Sequence, residues 1–533
     1  MTMDRVVIFT ANLSAYSVRK GLGELLGRFP TTKWLIIEHR PPRQWGRVAR
    51  NQIRQLRRDG WRWFPSIASS AMQEIRTRFH HHDEPAAELP GQEYELAKLL
   101  RHPHVSFMQV SDIHASTTIA TVRQFNPDVG ISLAAPILRP ELFEIPRLGT
   151  INLHKGTLPD YRGMPPAFWE IWNGSREVGC TVHRVEAKLD TGPILVKLTT
   201  PVERFSTVRG LQIRLDEAGV ELVAEALDRL TQGTAKPETQ QGTGTLYRKP
   251  TPAQWAAIRK REPGRLGSSW LSAAKEAVFL LYVSCVRPLP RLVLGLLGRQ
   301  RITVLLYHRV CDNMRDSLTV GLEQFERQMN DIKRRCRVVS IEEIVTGTVS
   351  RRSLRPIVAV TFDDGYLDNF ENAAPILLRC RVPAAFYVCT GLVNTDRGLP
   401  HDLANLGRAI PVMTWKHVTR LKHWMFSVGS HSRTHVNCAK DDPAFVDSEI
   451  TESRRELEAT VGSRDLIFAY PYGGRGDFND HWRARVRQAG YIGCLSAYGG
   501  SIRGAINPFN VVRTAISYAF GKWAFRARLE GWG

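Results

Sequence analysis

Short apolar runs that alternate with helical or loop segments are the feature that most constrains how this sequence can fold. In the first half of the chain the runs are Val6–Phe9, Trp34–Ile37, Val105–Met108 and Val129–Leu133. From residue 302 onward they return within ITVLLYH, PIVAVTF, AAFYV and FAYPY. Because strands that alternate with helices usually form parallel sheets, this pattern predicts an α/β protein.

The length of the chain predicts at least two domains, because 533 residues exceed what one hydrophobic core usually organises. Residues 209–232 carry apolar side chains at helical spacing and stop at a glycine, which predicts an amphipathic helix late in the first domain. We place the first domain at residues 1–255, a basic and apolar linker at 256–301, and the second domain at 302–533.

The linker contains two apolar segments, AVFLLYVSCV at 277–286 and LVLGLLG at 292–298. Arginines and prolines between them interrupt the apolar sequence, so neither segment approaches the roughly 20 apolar residues that a membrane-spanning helix needs. Two interpretations stay open: a segment that lies at the surface of an anionic membrane, and a helix that docks between the two domains.

The sequence carries 73 lysines and arginines against 52 aspartates and glutamates, a formal net charge of +21. Such an excess points to anionic partners, such as phosphorylated small molecules and acidic membranes. Five arginines near the N-terminus would form one stripe on a helix: Arg43, Arg47, Arg50, Arg54 and Arg57. The stripe is either a membrane-binding or phosphate-binding face or an ordinary solvated face. Because no recognised nucleic-acid-binding signature accompanies the charge, we expect no specific nucleic acid partner.

The eight cysteines are scattered and form no CxxC pair, which argues against a disulfide framework and against a cysteine–zinc site. The N-terminal segment MTMDRVVIFTANLSAY has too short an apolar run for a signal peptide. We therefore expect a cytoplasmic protein, and the basic segments leave peripheral membrane association open.

The first motif with chemical meaning is GTINLHKGTLPDYRG at 149–163. If residues 151–154 are extended, Asn152 and His154 project to the same face, because strand side chains alternate. An amide can donate to a developing oxyanion, and an imidazole can accept the proton that an attacking amine loses. Asp190, in LDTGPIL, is the candidate carboxylate that would orient the imidazole. The trio indicates acyl transfer, whereas the NxH motif alone would be better explained by a structural histidine.

The motif continues into PPAFWEIWNG and GCTVHRVEAKLDTGPIL, and over residues 1–255 the sequence resembles the 10-formyltetrahydrofolate-dependent formyltransferases. That family includes methionyl-tRNA, glycinamide ribonucleotide and sugar-nucleotide formyltransferases. The resemblance implies a Rossmann-like domain with 10-formyltetrahydrofolate as formyl donor. It also implies a catalytic triad of Asn152, His154 and Asp190. Gly156 stands where the family usually has a serine.

Two further features bear on the amine that accepts the formyl group. A methionyl-tRNA enzyme would be expected to carry an additional C-terminal barrel domain, and the sequence after residue 255 has no such pattern. The aromatic pair Phe168–Trp169 is more like that of the amino-sugar formyltransferases. The expected acceptor is therefore a sugar amine, and a non-sugar amine is the alternative.

The second motif, PIVAVTFDDG at 356–365, ends an apolar strand in two adjacent carboxylates, Asp363 and Asp364. Like charges this close are costly unless a cation or a shared proton relieves them. SHSRTH supplies His431 and His435, four residues apart and on one face of a helical turn. Two imidazoles and a carboxylate predict a site for a hydrolytic divalent metal. The histidine spacing alone would fit two surface histidines.

Over residues 302–533, YHRV, TFDDG, SHSRTH and FAYPYG occur in the order and spacing of the polysaccharide deacetylases, which the sequence resembles. The resemblance implies a distorted, incomplete β/α barrel with a divalent metal, zinc being the expected ion. Asp363 would be the general base. The implied metal ligands are Asp364, His431 and His435. Pro471 and Tyr472 would line the site, with the Tyr472 backbone N–H near the oxyanion.

Two positions depart from the deacetylase pattern. Many members carry an arginine two residues before the motif proline, and here that position is Ala469. Many also have a late histidine that acts as general acid, whereas His481, in a polar segment, is the only histidine after His435. Either another group donates the proton, or deacetylation is slow or absent.

Together the motifs predict a bifunctional enzyme of amino-sugar modification. One domain would transfer a formyl group from 10-formyltetrahydrofolate to a sugar amine, and the other would remove an N-acetyl group from a carbohydrate, in cell-surface polysaccharide or glycolipid biosynthesis. A nucleotide-linked or lipid-linked amino sugar would suit the positive charge. The alternatives for the second domain are a deformylase and a scaffold that only binds a metal or ligand.

Overall fold

The computed structural model describes residues 3–41, 95–242, 244–261 and 288–530. Over these residues the chain forms two large sheets, each covered by helices, and the α/β prediction is confirmed. Helices and strands are numbered below in chain order. The predicted arginine stripe and the apolar segment 277–286 lie outside the described residues.

The described part of the first region contains β1 (Arg5–Thr10), β2 (Lys33–His39), β3 (Val105–Val110), β4 (Val129–Ser132), β5 (Thr150–His154), β6 (Tyr161–Gly163), β7 (Glu177–Arg184), β8 (Ile194–Pro201) and β9 (Thr245–Tyr247). The sheet order is β3-β2-β1-β4-β5-β7-β8. Pairing is parallel from β3 to β5, and antiparallel between β5 and β7 and between β7 and β8. β6 and β9 form a separate parallel pair.

The helices of this region are α1 (Tyr16–Arg28), α2 (Leu96–Leu100), α3 (Ser116–Phe125), α4 (Pro140–Phe143), α5 (Phe168–Trp172), α6 (Val208–Thr231) and α7 (Pro252–Arg261). Apolar side chains cover both faces of the sheet. Val6 and Ile8 of β1 pack into one hydrophobic cluster, and Val7 and Phe9 pack into another, as strand alternation requires. A mainly parallel sheet covered on both faces confirms the Rossmann-like architecture.

Helix α6 coincides with the helix predicted at 209–232. Its N-terminus is capped by Thr207, whose hydroxyl oxygen accepts a hydrogen bond from the Gly210 N–H at 3.0 Å. Thirteen of its residues are buried, and most of the apolar ones pack on the first sheet. The capping residue and the apolar spacing explain why this helix was predictable from sequence.

The described part of the second region contains β10 (Ile302–Tyr307), β11 (Arg309–Val310), β12 (Thr319–Val320), β13 (Arg337–Val338), β14 (Ile357–Phe362), β15 (Ala385–Val388), β16 (Ser427–Ser430), β17 (Ile467–Ala469), β18 (Gly493–Leu495) and β19 (Arg513–Ala515). The main sheet has the order β18-β17-β16-β15-β14-β10-β19, and every pairing in it is parallel. A single parallel bridge between Leu495 and Val511 brings the two edges together. The predicted distorted, incomplete β/α barrel is confirmed.

The helices of the second region are α8 (Pro288–Leu296), α9 (Leu322–Arg335), α10 (Ile341–Val345), α11 (Ala374–Cys380), α12 (Pro400–Leu406), α13 (Trp415–His423), α14 (Pro443–Val461), α15 (Asp480–Gln488) and α16 (Lys522–Leu529), with a π-helical turn at Asn369–Ala373. Most of them cover the outside of the barrel. Because all strands of the barrel are parallel, the residues that follow them meet at one end, where the second motif lies.

Helix α6 also joins the two regions. Ile213 is buried in the hydrophobic cluster of the second region. The Arg209 guanidinium donates two hydrogen bonds to the Glu326 carboxylate of α9, at 2.8 and 2.6 Å, and Arg379 of α11 donates to the same carboxylate at 2.8 Å. The two regions therefore share a packed and charged contact.

Among the described residues, we find no helix long and apolar enough to cross a lipid bilayer.

Candidate active sites

The first candidate site lies at the end of β5, beside β7. β5 is extended over the predicted residues, and in its antiparallel register with β7 Asn152 lies opposite His183 and His154 opposite Thr181. Asn152 and His154 therefore project to one face of the sheet, as predicted. Asp190 reaches the same place from the turn between β7 and β8.

The distances show that the predicted trio comes together around a fourth residue. His154 Nδ1 lies 3.5 Å from Asp190 Oδ2, and both residues are buried. The other Asp190 oxygen, Oδ1, lies 3.6 Å from His183 Nε2, and Asn152 Nδ2 lies 3.2 Å from the same nitrogen. His183 thus contacts both Asn152 and Asp190. His183 was not among the residues predicted from the sequence, although it lies two residues from Thr181 on β7 and pairs with Asn152 of β5.

Hydrogen bonds determine the orientation of both rings. His183 Nδ1 donates to the Arg184 carbonyl at 2.7 Å, which leaves Nε2 to accept from the Asn152 amide. His154 Nε2 donates to the Tyr161 carbonyl at 2.7 Å, because a carbonyl can only accept. One N–H of the Asn152 amide is therefore bound, and the second N–H is available for a ligand.

Electrostatics keep this site in the charge states that acyl transfer needs. Burial lowers the pKa of His154 below its usual value, and the nearby Asp190 carboxylate only partly offsets this effect. Burial also opposes ionisation of Asp190, but the nearby His183 and His154 rings and the Gly163 N–H, which donates to Asp190 Oδ2 at 3.3 Å, outweigh it and lower the Asp190 pKa. His154 is therefore neutral and Asp190 is ionised at neutral pH.

Gly156 permits the contact between His154 and Tyr161. A Cβ atom at position 156 would lie 2.6 Å from His154 Nε2 and 2.6 Å from the Tyr161 carbonyl oxygen. Both distances are too short for any side chain. Glycine, in place of the serine usual in the family, therefore leaves room for the contact between His154 and the Tyr161 carbonyl.

A cavity of about 250 Å³ opens beside His154, between α1 and α6. Its apolar lining residues are Val18, Leu25, Leu133, Leu153, Val220 and Val223. The ion pair of Lys155 with Asp216 lies in its wall. Next to this site, Tyr161, Tyr247 and Trp169 form a row of stacked rings, with centroids 5.4 and 5.0 Å apart. An apolar cavity with a few polar groups at one end is typical of a small-molecule site.

The second candidate site lies at the carboxyl end of the barrel. Asp363 and Asp364 follow β14. His431 and His435 follow β16, which is separated from β14 by one strand, β15. All four side chains are buried. Asp364 (φ 74°) and His435 (φ 68°) adopt the left-handed backbone conformation, which is costly for residues other than glycine. Such strain concentrates at functional sites, where the surrounding structure holds it.

Three of these side chains have the geometry of a metal site. Asp364 Oδ1 lies 3.4 Å from both His431 Nε2 and His435 Nε2, and the possible ligand atoms of the three residues lie within 4.8 Å of one another. Two ligands about 2.1 Å from a tetrahedral zinc ion are about 3.4 Å apart. Both Asp364 oxygens are buried without a hydrogen-bond donor, although a buried carboxylate normally has one. A divalent cation fits this donor set.

The backbone prepares His431 to bind a cation. Its Nδ1 donates to the Ala469 carbonyl at 2.8 Å, so the lone pair of Nε2 faces Asp364. This arrangement, in which one ring nitrogen is fixed by a carbonyl and the other is free, is common among metal-binding histidines. Ala469 is also the position at which the family arginine is missing, and here it contributes its backbone.

Arg513 supplies the arginine that the motif lacks. It is fully buried on β19, and its guanidinium donates to both oxygens of Asp363, at 2.6 and 2.6 Å. Burial opposes ionisation of Asp363, but the positive charge of Arg513 outweighs it and lowers the Asp363 pKa. Sequence analysis missed Arg513, although it was a visible signal: a lone arginine in the apolar strand segment NVVRTAIS.

A histidine that sequence analysis also missed lies at the mouth of this site. His401 of α12 has its Nε2 3.8 Å from Asp364 Oδ2, and its ring centroid lies 4.9 Å from that of His435. The Tyr366 hydroxyl lies 2.9 Å from His401 Nε2 and donates to Asp402 at 2.9 Å. The histidine that acts as general acid in many deacetylases lies late in the sequence, whereas His401 precedes His435. The family pattern therefore did not point to His401.

The remaining predicted residues border the metal site. The Tyr472 ring is half exposed, and its centroid lies 4.7 Å from that of His435. Pro471 is buried next to it. The position of the Tyr472 N–H relative to an oxyanion stays a prediction. His481, by contrast, is exposed on α15 and packs against Trp482.

Comparison with known proteins identifies both regions. A formyl transferase family model matches residues 67–227, and a polysaccharide deacetylase family model matches residues 350–493. The methionyl-tRNA formyltransferase of Citrifermentans bemidjiense is 36% identical over 169 residues, which is 31% of this chain and 51% of that protein. The chain thus spans about half the length of this relative.

Solved structures are similar to each region in turn. The Streptococcus pyogenes deacetylase PplD matches 43% of this chain and 98% of its own, with 21% identity and a TM-score of 0.37. A sugar N-formyltransferase from Shewanella matches 48% of this chain and 87% of its own, with 15% identity and a TM-score of 0.31. The two family models thus match separate parts of the chain, a formyl transferase model in the first region and a polysaccharide deacetylase model in the second.

Proposed function

We propose that this protein is a bifunctional enzyme that transfers a formyl group to a sugar amine and hydrolyses an N-acetyl group on a carbohydrate. The observation that carries the proposal is the coexistence of two complete and chemically different clusters. One joins an amide, an imidazole and a carboxylate, and the other joins two imidazoles, an unpartnered carboxylate and a second carboxylate held by an arginine.

In the first site, Asn152, His154 and Asp190 are the proposed catalytic residues. The available Asn152 N–H donates to the oxygen that becomes negative as the amine attacks the formyl carbon. Neutral His154 accepts the proton that the amine loses at Nδ1, because Nε2 already carries the proton donated to the Tyr161 carbonyl. Asp190, 3.5 Å from Nδ1, stabilises the positive charge that then forms on the ring. 10-Formyltetrahydrofolate supplies the formyl group. His183 keeps Asn152 and Asp190 in place through the contacts described above.

In the second site, Asp364, His431 and His435 are the proposed ligands of a divalent metal, with zinc the expected ion. When bound, such an ion polarises the amide carbonyl and lowers the pKa of a water molecule. Asp363 would accept a proton from the attacking water molecule, and Arg513 holds the Asp363 carboxylate in place. His401 is the proposed donor to the leaving amine, since it lies beside Asp364 and is open to the mouth of the site. Pro471 and Tyr472 border the substrate.

The two reactions meet at the same kind of nitrogen, because a deacetylated sugar amine is an acceptor for a formyl group. The stacked rings of Tyr161, Tyr247 and Trp169 give the first site an aromatic wall, which suits the apolar face of a sugar. We place the enzyme in the cytoplasm, on a nucleotide-linked or lipid-linked amino sugar of cell-surface polysaccharide or glycolipid synthesis. Peripheral contact with an anionic membrane belongs to the same proposal.

Mass spectrometry of the products tests the proposal. The full chain is incubated with a panel of nucleotide-linked and lipid-linked amino sugars, with their N-acetyl and N-formyl forms, and with 10-formyltetrahydrofolate and zinc. We expect a gain of one formyl group on a free amine and a loss of one acetyl group from an N-acetyl sugar. Loss of formyl groups only would make the second domain a deformylase, and no hydrolysis of any substrate would make it a scaffold.

The identity of the acceptor needs its own control, because the curated relative is a methionyl-tRNA formyltransferase that matches about a third of this chain. Methionyl-tRNA is therefore added to the panel. Formylation of methionyl-tRNA without formylation of any sugar would overturn the sugar assignment while leaving the first catalytic site in place.

A further inference from the structure

Helix α8 presents an unusual number of apolar side chains to solvent. Leu292 and Val293 are 41% and 47% exposed, and Leu296 and Leu297 are 66% and 62% exposed. Leu354, from the loop before β14, is 60% exposed and lies beside the helix, since a Cβ atom at Gly295 would be 3.6 Å from its Cδ2 atom. We call these five side chains the α8 surface. Contiguous exposed apolar side chains usually mark an interaction site.

Arginines surround the α8 surface. Four exposed arginines lie on three segments of the chain that meet near α8: Arg299, Arg352, Arg355 and Arg503. These segments, 288–301, 346–356 and 499–510, contain no aspartate or glutamate. These three segments therefore carry only positive charge, and an anionic partner is complementary to them.

Hydrogen bonds from Arg351 tie together the backbone segments that carry the α8 surface. Arg351 donates to the Gln300 carbonyl at 2.7 Å, to the Gly504 carbonyl at 2.6 Å and to the Arg503 carbonyl at 2.9 Å. These bonds tie the segment after α8 to the two neighbouring loops. The backbone segments that carry the apolar side chains and the arginines are therefore held side by side.

We propose that the α8 surface docks the protein on an anionic lipid bilayer. Exposed leucines at the centre enter the boundary between headgroups and acyl chains, while the surrounding arginines bind lipid phosphates, which is how amphipathic interfacial segments act. The leucines favour a bilayer over a nucleic acid, and the absence of acidic residues from these three segments favours it over a surface of mixed charge. The other apolar segment of the linker, residues 277–286, comes directly before α8 in the sequence.

The position of the α8 surface fixes the orientation of the docked protein. α8 and the loop before β14 lie at the amino ends of the parallel strands β10 and β14, whereas Asp363 and Asp364 follow the carboxyl end of β14. A six-residue strand is roughly 20 Å long. Docking by this end turns the metal site away from the bilayer, toward water-soluble substrates.

This inference rests on the membrane contact in the proposed function and names the surface that makes it. The test measures vesicle binding and not turnover. A negative result would therefore overturn the membrane proposal without affecting either catalytic assignment. The full chain is sedimented with phosphatidylcholine vesicles that do or do not contain phosphatidylglycerol, at rising salt. We expect binding that requires phosphatidylglycerol and weakens as salt increases.

Variants locate the binding surface. Leu296→Ser with Leu297→Ser should reduce the bound fraction at least about fivefold, because the inserted apolar area is lost. The matched control is Leu198→Ser with Leu246→Ser, two leucines that are 40% and 56% exposed on the first region. The control should bind as the wild type does. Thermal unfolding of each variant confirms that folding is unchanged.

Three results would overturn the proposal. The first is that the α8 variant binds as the wild type does while neutralisation of the arginines between Arg43 and Arg57 abolishes binding. The second is equal binding to vesicles with and without phosphatidylglycerol, or no binding to either. The third is a dimer, seen by light scattering, that the α8 variant dissociates, which would make a second copy of the chain the occupant.

Discussion

Arg513 and Asp363 form a buried, two-pronged ion pair across the barrel, although 150 residues separate them in sequence. Each guanidinium nitrogen, Nη1 and Nη2, donates to one carboxylate oxygen at 2.6 Å, and Arg513 has no exposed surface. The planar guanidinium matches the carboxylate at both oxygens, so the orientation of Asp363 is fixed. Lysine cannot make this contact, because its ammonium group is a single point.

The Asp363–Arg513 pair predicts how deacetylation depends on pH. Arg513 lowers the pKa of Asp363, so the carboxylate form persists until the pH falls below the usual aspartate range. The rate of hydrolysis should therefore fall only at low pH in the wild type. In Arg513→Met the Asp363 pKa rises, and the acid limb of the pH–rate profile should move to higher pH. The rate at neutral pH should fall roughly 10²-fold.

Arg513→Lys separates charge from geometry in the same experiment. It should recover part of the pH profile but little of the rate, because the second hydrogen bond is missing. Unfolding in urea is measured alongside, since an unpaired buried charge costs about 3–5 kcal/mol of stability. If Arg513→Met kept the wild-type profile and rate, Asp363 could not be the base.

The metal site predicts a selective loss. In His431→Ala and Asp364→Asn, bound metal measured by elemental analysis should fall well below one ion per chain, because each change removes one of three ligands. Hydrolysis should be lost with the metal, and zinc chelation of the wild type should do the same. His481→Ala, an exposed histidine on α15, is the matched control and should retain both. Formyl transfer should be unchanged in all variants, since the two sites share no residue.

His401 predicts a different pattern, in which turnover is lost and metal is kept. His401→Gln should lower the deacetylation rate roughly 10²-fold, because a proton donor is missing when the amine departs. Metal content should stay at the wild-type level. Loss of metal together with activity would instead make His401 a ligand, and an unchanged rate would remove it from the mechanism.

Gly156 predicts that one added methyl group impairs formyl transfer. Gly156→Ala places a carbon 2.6 Å from His154 Nε2 and from the Tyr161 carbonyl, so the ring must move. We expect the rate of formyl transfer to fall roughly tenfold, because displacing a catalytic group by a fraction of an ångström impairs its alignment with the substrate. Gly27→Ala in α1 meets no atom within 4 Å and serves as the control. A wild-type rate in Gly156→Ala would show that the contact between His154 and Tyr161 plays no part.

Local sequence patterns were sufficient for the part of each site that lies on one element. Asn152 and His154 are two residues apart on β5, so strand alternation places them together. Asp363 and Asp364 follow the buried strand β14, and His431 and His435 lie in the segment after β16, the next strand but one in the sheet. Because these strands are parallel, their carboxyl ends meet at one end of the barrel. Periodicity and strand polarity are properties of short segments, and a sequence displays them directly.

The sequence by itself thus determined the two domain types, the apolar strands and the residues that each motif carries. Only the tertiary structure decided which distant side chains complete the sites: Arg513 on Asp363, His401 beside Asp364, and His183 between Asn152 and Asp190. The reason is physical. The closure of the barrel sets the contact between Arg513 and Asp363, and the antiparallel pairing of β5 with β7 sets the contact between His183 and Asn152. These contacts join residues 150 and 31 positions apart, and such separations leave no period in the sequence.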